Sequence, residues 1–231
     1  RADHFGVLGY DRDTTPNLAK EQGLLAFSDV HSCGTETAVS VPCMFSGMAR
    51  KDYDARVAKN REGLLDILKR AGLDVQWRDN QSGCKGTCDR VQYVNLTNLK
   101  DPQLCAGGEC HDQVLLQGLG ELIDNLDKDT VLVLHQMGSH GPDYHKRSSS
   151  DMKRFMPECT TNVLADSSHG QPINAYDNPN AYTDRLHGKT IHWLQAQSHR
   201  HDNGMRYIYE HGELPVANGL IPHGPPKHQA P

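Results

Sequence analysis

The 231-residue chain carries 24 Lys and Arg against 29 Asp and Glu, a formal net charge of −5, with 36% hydrophobic residues. That balance offers no basic surplus for nucleic-acid phosphates, and no run nears the roughly 18 apolar residues that span a bilayer. The length suffices for one α/β domain with its own core, and residue 1 stands in polar, domain-like sequence rather than in a signal peptide, so the chain reads as a soluble, excised piece, and any membrane anchor lies outside it.

Taken in chain order, Thr15-Pro16 has the form of an N-cap followed by proline at the first helical position, opening a short helix to about residue 22. Residues 24–30 read as a strand running into His31-Ser-Cys-Gly-Thr-Glu-Thr37, where a helix starts. Residues 60–71 form an amphipathic helix, with Leu64, Leu65, Ile67 and Leu68 on one side and Gly72 as its stop. Residues 73–77 are a strand and residues 111–126 a second amphipathic helix. The apolar run over residues 130–134 has the composition of a central parallel strand buried on both faces. Residues 173–197 are mostly helical in pattern, and residues 205–209 make a further strand. Strands alternating with helices imply an α/β/α sandwich around a largely parallel sheet. Ligands of such folds sit beyond the carboxyl ends of the strands. Residues 33–43, 135–142 and 210–212 occupy that position.

There are seven cysteines. Six fall into close pairs, Cys33 with Cys43, Cys84 with Cys88 and Cys105 with Cys110. The last two spacings also have a metal reading, but neither matches a CxxC pair. Three local staples favour disulfides formed in an oxidising compartment. Cys159 is left over.

Several residues have the chemistry for catalysis. A Thr hydroxyl is a weak nucleophile until a metal or a base activates it, and a helix N-terminus favours an anion. Thr37 sits at such a start inside the Cys33–Cys43 loop, although a plain helix cap is the commoner fate of Thr there. Glu210 and His211, side by side after a strand, are an O,N donor pair of the kind zinc accepts. His140 and His223 are candidates for further nitrogen ligands or phosphate contacts. With 14 histidines in the chain, surface roles compete for each. Lys85, between two paired cysteines, is a pinned ammonium for a phosphate or else a solvated loop lysine. His187, His192, His199 and His201 lack carboxylates at ligand spacing and read as a polar helix face. Asn95-Leu-Thr97 matches a glycosylation acceptor, a pattern common by chance.

Longer segments carry a resemblance. Arg1-Ala-Asp-His-Phe-Gly-Val-Leu-Gly-Tyr10, Ser32-Cys-Gly-Thr-Glu-Thr-Ala-Val-Ser-Val-Pro-Cys-Met-Phe45 and Asn60-Arg-Glu-Gly-Leu-Leu-Asp66 lead the series. Trp77-Arg-Asp-Asn80, His135-Gln-Met-Gly-Ser-His-Gly-Pro142 and Ile173-Asn-Ala-Tyr-Asp-Asn178 follow in order. Together they resemble the catalytic domain of the lipid A phosphoethanolamine transferases, the family of the mobile colistin-resistance enzymes. The resemblance implies an alkaline-phosphatase- or sulfatase-like fold for residues 1–231 as one domain, truncated at both ends. It implies Zn2+ as cofactor and the periplasmic face of the bacterial inner membrane as location. It also implies a phosphatidylethanolamine donor, a lipid A acceptor, a transmembrane domain outside this chain, a monomer, and polymyxin resistance as the outcome.

By the same resemblance, Thr37 takes up phosphoethanolamine and binds zinc, and Lys85, His140 and His223 bind substrate. Glu210 and His211 match the aspartate and histidine of the DHGES zinc motif. The departures are the glutamate at position 210, Leu214 and Pro215 after the motif, Ser167 where a partner of Cys159 belongs, and Pro179 inside a helix, where proline costs about 3 kcal/mol or kinks it. The family's first zinc ligand, the glutamate of a GET motif, would precede Arg1. From about residue 166 the likeness is loose. A phosphatase or sulfatase that passes the group to water, and a catalytically inert piece of the fold, stand as alternatives.

Overall fold

A computed structural model describes residues 2–161 and 170–212. The chain divides into two compact units, one of residues 32–137 and one of residues 1–31 with 138–231.

The 32–137 unit is built on a three-stranded sheet, β1 (Asp74–Asp79), β2 (Gln92–Asn95) and β5 (Thr130–His135), in the order β2-β1-β5 and parallel throughout. Side chains alternate across a strand. Val75 and Trp77 therefore join Val131 and Val133 on one face, packed with Val41, Phe45, Leu65 and Leu68. On the other face Val94, Leu96 and Leu134 cluster with Val114 and Leu115. The helices are α1 (Thr37–Phe45), α2 (Ala55–Lys59), α3 (Leu64–Arg70) and α4 (Leu119–Asp124). The pairs β3 (Cys105–Ala106) and β4 (Glu109–Cys110) make a small antiparallel hairpin. All three expected disulfides are present.

Four expectations change here. The central, most buried strand is β1, while the more apolar β5 is half-buried and pairs with β1 alone among the described strands. Strand order, not hydropathy, sets the burial. Polar Arg78 is tolerated in β1 because its guanidinium donates to the Leu115 and Gln117 carbonyls at 3.0 and 2.6 Å. Those two bonds also explain the second change. The expected helix over residues 111–126 breaks into a 3₁₀ turn, Asp112–Leu116, and α4, because its carbonyls face Arg78 and Gly118 takes a left-handed φ of 71°. The third concerns α3, which starts at Leu64 rather than residue 60. Asp66 Oδ2 accepts the Gly63 N–H at 2.8 Å and fixes the first turn there. Within α3, Leu65 and Leu68 enter the core while Leu64 and Ile67 lie in the open. Finally, Thr37 is the first helical residue and Glu36 the N-cap, so Thr37 is not a cap.

The second unit is organised by α5 (Gln171–Gln197), whose buried residues mix apolar side chains such as Ala175, Tyr176 and Leu186 with polar ones. Asp177, fully buried, receives His4 Nδ1–H at 2.6 Å, the Tyr10 hydroxyl at 3.0 Å and Arg12 at 2.6 Å. Asp184 accepts the backbone N–H groups of Asn17 and Leu18, both at 2.9 Å. This carboxylate, rather than Thr15, caps the turn Leu18–Lys20, because the Thr15 hydroxyl accepts Val7 N–H instead. Asn178 uses its amide in full, accepting from Arg154 and Phe155 N–H and donating to the Phe155 carbonyl and Glu158. Buried bonds of this density carry the helix straight through Pro179, whose missing N–H would otherwise end it.

Two expected strands are absent. Residues 24–30 lie in irregular chain with Leu25, Phe27 and Val30 exposed, since no described segment offers them a ladder. Residues 205–209 are irregular too, because Tyr207 and Tyr209 pack their rings on Phe5 and on each other rather than pairing backbone. Cys159 is buried, outside the three disulfides, and its Sγ donates to the Thr161 carbonyl at 3.3 Å. Ser167 lies outside the described residues. No described helix is long and apolar enough to cross a membrane.

Candidate active site

The carboxyl ends of β1 and β5 gather polar residues in the 32–137 unit. Asp79 and His135 are opposite each other in register as the last residues of their strands. His135 Nδ1–H donates to Asp79 Oδ1 at 2.6 Å, and Trp77 Nε1–H to the same oxygen at 3.1 Å. Asp79 Oδ2 accepts the backbone N–H groups of Gln81 at 3.3 Å and Gly83 at 2.9 Å. Burial pushes the Asp79 carboxyl up, but His135, Trp77 and Gly83 together hold it below the ordinary carboxylate range.

Thr37 opens α1 and is buried. Gln81 Nε2–H donates to its Oγ1 at 3.1 Å. The helix start is fixed locally. The Cys33–Cys43 disulfide ties the loop to the helix, and Ser40 both donates to the Gly34 carbonyl and accepts its N–H. Gly34 permits this tight approach, for a Cβ there would lie 2.7 Å from Val39 Cγ1. The Glu36 side chain makes no cap bond, so the α1 N-terminus keeps its pull on an anion. Lys85, held in a left-handed conformation within the Cys84–Cys88 loop, is exposed and donates to the Ser82 carbonyl at 2.6 Å. That bond places its stem one residue beyond Gln81.

In the other unit His140 and His211 lie edge to face, ring centres 6.5 Å apart. Each donates Nδ1–H to the carbonyl of the next residue at 2.8 Å, His140 to Gly141 and His211 to Gly212. When neutral, each ring then carries its lone pair on Nε2, the form that ligates a cation. Glu210 Oε1 stands 3.4 Å from His211 Nε2, and both side chains are largely buried. Glu210 and His211 are thus an oxygen and nitrogen donor pair whose chemistry suits a metal. No described group of three His, Cys, Asp or Glu gathers at ligand spacing. Gly141 is required where it stands, since a Cβ would meet the Tyr144 hydroxyl at 2.6 Å, and Arg147 Nε–H holds the His140 carbonyl at 2.8 Å.

The expected site residues thus fall into two groups. Thr37 and Lys85 belong to one unit, and His140, Glu210 and His211 to the other. His223 lies outside the described residues. Of the histidines read as a polar helix face, His192 is exposed but His187 is fully buried against Tyr207. The sequence reading did not single out Gln81, Asp79 or His135. The available signal was a polar residue ending each of two otherwise well-packed strands.

Residues 1–231 match the Sulfatase family. The chain is 48% identical over its full length to phosphoethanolamine transferase EptA of Salmonella typhimurium, of which it covers 42%. It is 43% identical over 238 residues to phosphatidylethanolamine transferase Mcr-1 of Escherichia coli, covering 44% of that protein. The chain therefore spans less than half the length of these curated relatives. Among solved structures, the soluble domain of lipooligosaccharide phosphoethanolamine transferase A from Neisseria meningitidis superposes with a TM-score of 0.91 at 40% identity. All of this chain and 69% of that one are covered. The expected alkaline-phosphatase- or sulfatase-like α/β fold is therefore the fold of this chain.

Proposed function

The chain belongs to the Sulfatase family and, within it, to the phosphoethanolamine transferases, and from that premise we propose that it moves phosphoethanolamine from phosphatidylethanolamine to lipid A through a covalent adduct on Thr37. The observation that carries this reading is the Thr37 hydroxyl, buried at the first residue of α1 and receiving an amide N–H from Gln81 at 3.1 Å. A hydroxyl held in this way is pointed and polarised, as a nucleophile requires.

In the first step Thr37 Oγ attacks the phosphorus of the donor phosphodiester. The bond to the glycerol oxygen breaks, and diacylglycerol leaves with the proton that Thr37 gives up. In the second step a phosphate oxygen of lipid A attacks the same phosphorus, and the Thr37 oxygen leaves and regains a proton. The α1 N-terminus and the Lys85 ammonium favour charge that develops on the phosphoryl oxygens. His140, with its Nε2 lone pair set by Gly141, and His223 bind substrate in this reading. The added ethanolamine cation offsets lipid A phosphate charge, which weakens the attraction of cationic polymyxins.

Glu210 and His211 fit zinc by donor type, an oxygen and an imidazole whose Nδ1 is committed elsewhere. Bound there, zinc supplies Lewis-acid stabilisation of an alkoxide. The chain then acts at the periplasmic face of the inner membrane, attached through segments outside it. The test is lipid A analysis by mass spectrometry in cells that express the intact protein. Thr37→Ala should leave lipid A unmodified, and modification at the unmutated level would overturn the assignment.

A further inference from the structure

Asp79 is the most heavily bonded carboxylate at the carboxyl ends of the strands. Its two oxygens accept four N–H groups, from Trp77, His135, Gln81 and Gly83, and so fill the roughly four acceptor positions a carboxylate has. The residue is 1% exposed. Two of the four donors belong to the turn over residues 80–83. The other two belong to strands, Trp77 to β1 and His135 to β5. The carboxylate therefore ties a loop to the rigid sheet. The neighbouring residue repeats the arrangement, as Asn80 N–H donates to the His135 carbonyl and its side chain to the Cys110 carbonyl and Asp112.

What the turn carries is Gln81. Its Oε1 faces the N–H and hydroxyl of Ser82, both donors, and this fixes the amide so that Nε2–H points away from Ser82. Nε2 meets Thr37 Oγ1 at 3.1 Å. A donor aimed at a hydroxyl oxygen occupies one of its lone pairs and fixes the direction of the other.

We propose that Asp79 and His135 are positioning residues for the Thr37 nucleophile, acting through Gln81: they set the 80–83 turn so that the Gln81 amide N–H is delivered to Thr37 Oγ1. The inference rests on the reading of Thr37 as the nucleophile. Asp79 and His135 need not touch the substrate, and their effect is on the alignment of one oxygen. Misplacing that oxygen by a fraction of an ångström slows attack without weakening donor binding.

The experiment uses the intact membrane protein and phosphatidylethanolamine labelled in its headgroup, and follows the rate of adduct formation on the protein against donor concentration. Rates are normalised to the folded fraction. Asp79→Asn, His135→Leu and Gln81→Met should each lower the saturating rate, by about 100-fold, with the half-saturating donor concentration unchanged. His135→Gln keeps a side-chain N–H and should recover part of the loss. If Asp79→Asn does not fold, the other three variants decide, because they leave the carboxylate in place. An unchanged rate in Gln81→Met, or a loss confined to donor affinity or to the folded fraction, would overturn the proposal. Thr37→Ala runs in parallel. An adduct that survives it sinks the nucleophile reading and this inference together, whereas an adduct lost in Thr37→Ala but unaltered in the other variants sinks this inference alone.

Discussion

His211 and Gly212 are joined by a hydrogen bond from the imidazole Nδ1 to the next carbonyl, 2.8 Å long. The bond leaves Nε2 as the ligating nitrogen, 3.4 Å from Glu210 Oε1. The intact protein is therefore expected to retain zinc through purification. His211→Ala and Glu210→Gln should each lower zinc affinity by at least about 10-fold, read by elemental analysis after dialysis and by loss of the zinc-dependent rise in melting temperature. Wild-type zinc content in both variants would remove these residues from the metal site.

Asp177 holds the amino-terminal segment onto α5 through His4, Tyr10 and Arg12. Removing one partner of a buried ionic group strands the others. Asp177→Ala should cost about 3–5 kcal/mol in urea unfolding. The Tyr10 hydroxyl, pushed up to about 12 by burial and then by the Asp177 charge and hydrogen bond, should titrate closer to 10 in Asp177→Asn. An unchanged Tyr10 titration would show that burial alone sets it.

His187 sits on α5 with neither ring nitrogen hydrogen-bonded among the described residues, and its ring centre is 4.0 Å from that of Tyr207. Burial pushes its pKa from 6.5 down to about 3. The folded form keeps the ring neutral while the unfolded chain takes up a proton below pH 6.5. Stability is thus intact above pH 6.5, declines as the pH falls from 6.5 towards 3, and takes no further loss from this residue below that. His187→Phe keeps an aromatic ring against Tyr207 and should lessen the acid-induced decline. The difference between wild-type and variant unfolding curves at several pH values measures it, and parallel curves would contradict the assignment.

How far the sequence reached depends on which force decided each element. The strand at β1, the apolar run of β5, the start of α1 at Thr37 and the three disulfides were legible, because hydrophobic runs, a helix-start pattern and close cysteine spacing are local signals. The break at Gly118 was not, since it depends on Arg78 reaching two carbonyls from a strand almost 40 residues away. Nor was the passage of α5 through Pro179, which rests on tertiary bonds at Asp177, Asn178 and Asp184. Residues 24–30 and 205–209 have strand composition, yet composition does not supply a neighbouring strand. Among the candidate residues, Thr37, Glu210 and His211 were visible as chemistry-bearing types next to predicted element ends. Gln81 and Asp79 were hidden because an amide in a turn and a carboxylate at a strand end look like ordinary solvated residues until folding buries them.

The most direct test of the account locates the adduct itself. Intact protein is incubated with headgroup-labelled phosphatidylethanolamine in the absence of lipid A, then digested and mapped by mass spectrometry. The account predicts phosphoethanolamine on the peptide that spans the Cys33–Cys43 loop, fragmenting to Thr37 and discharged when lipid A is added. Label on any other residue, or lipid A modification that proceeds with Thr37 never carrying the group, would contradict it.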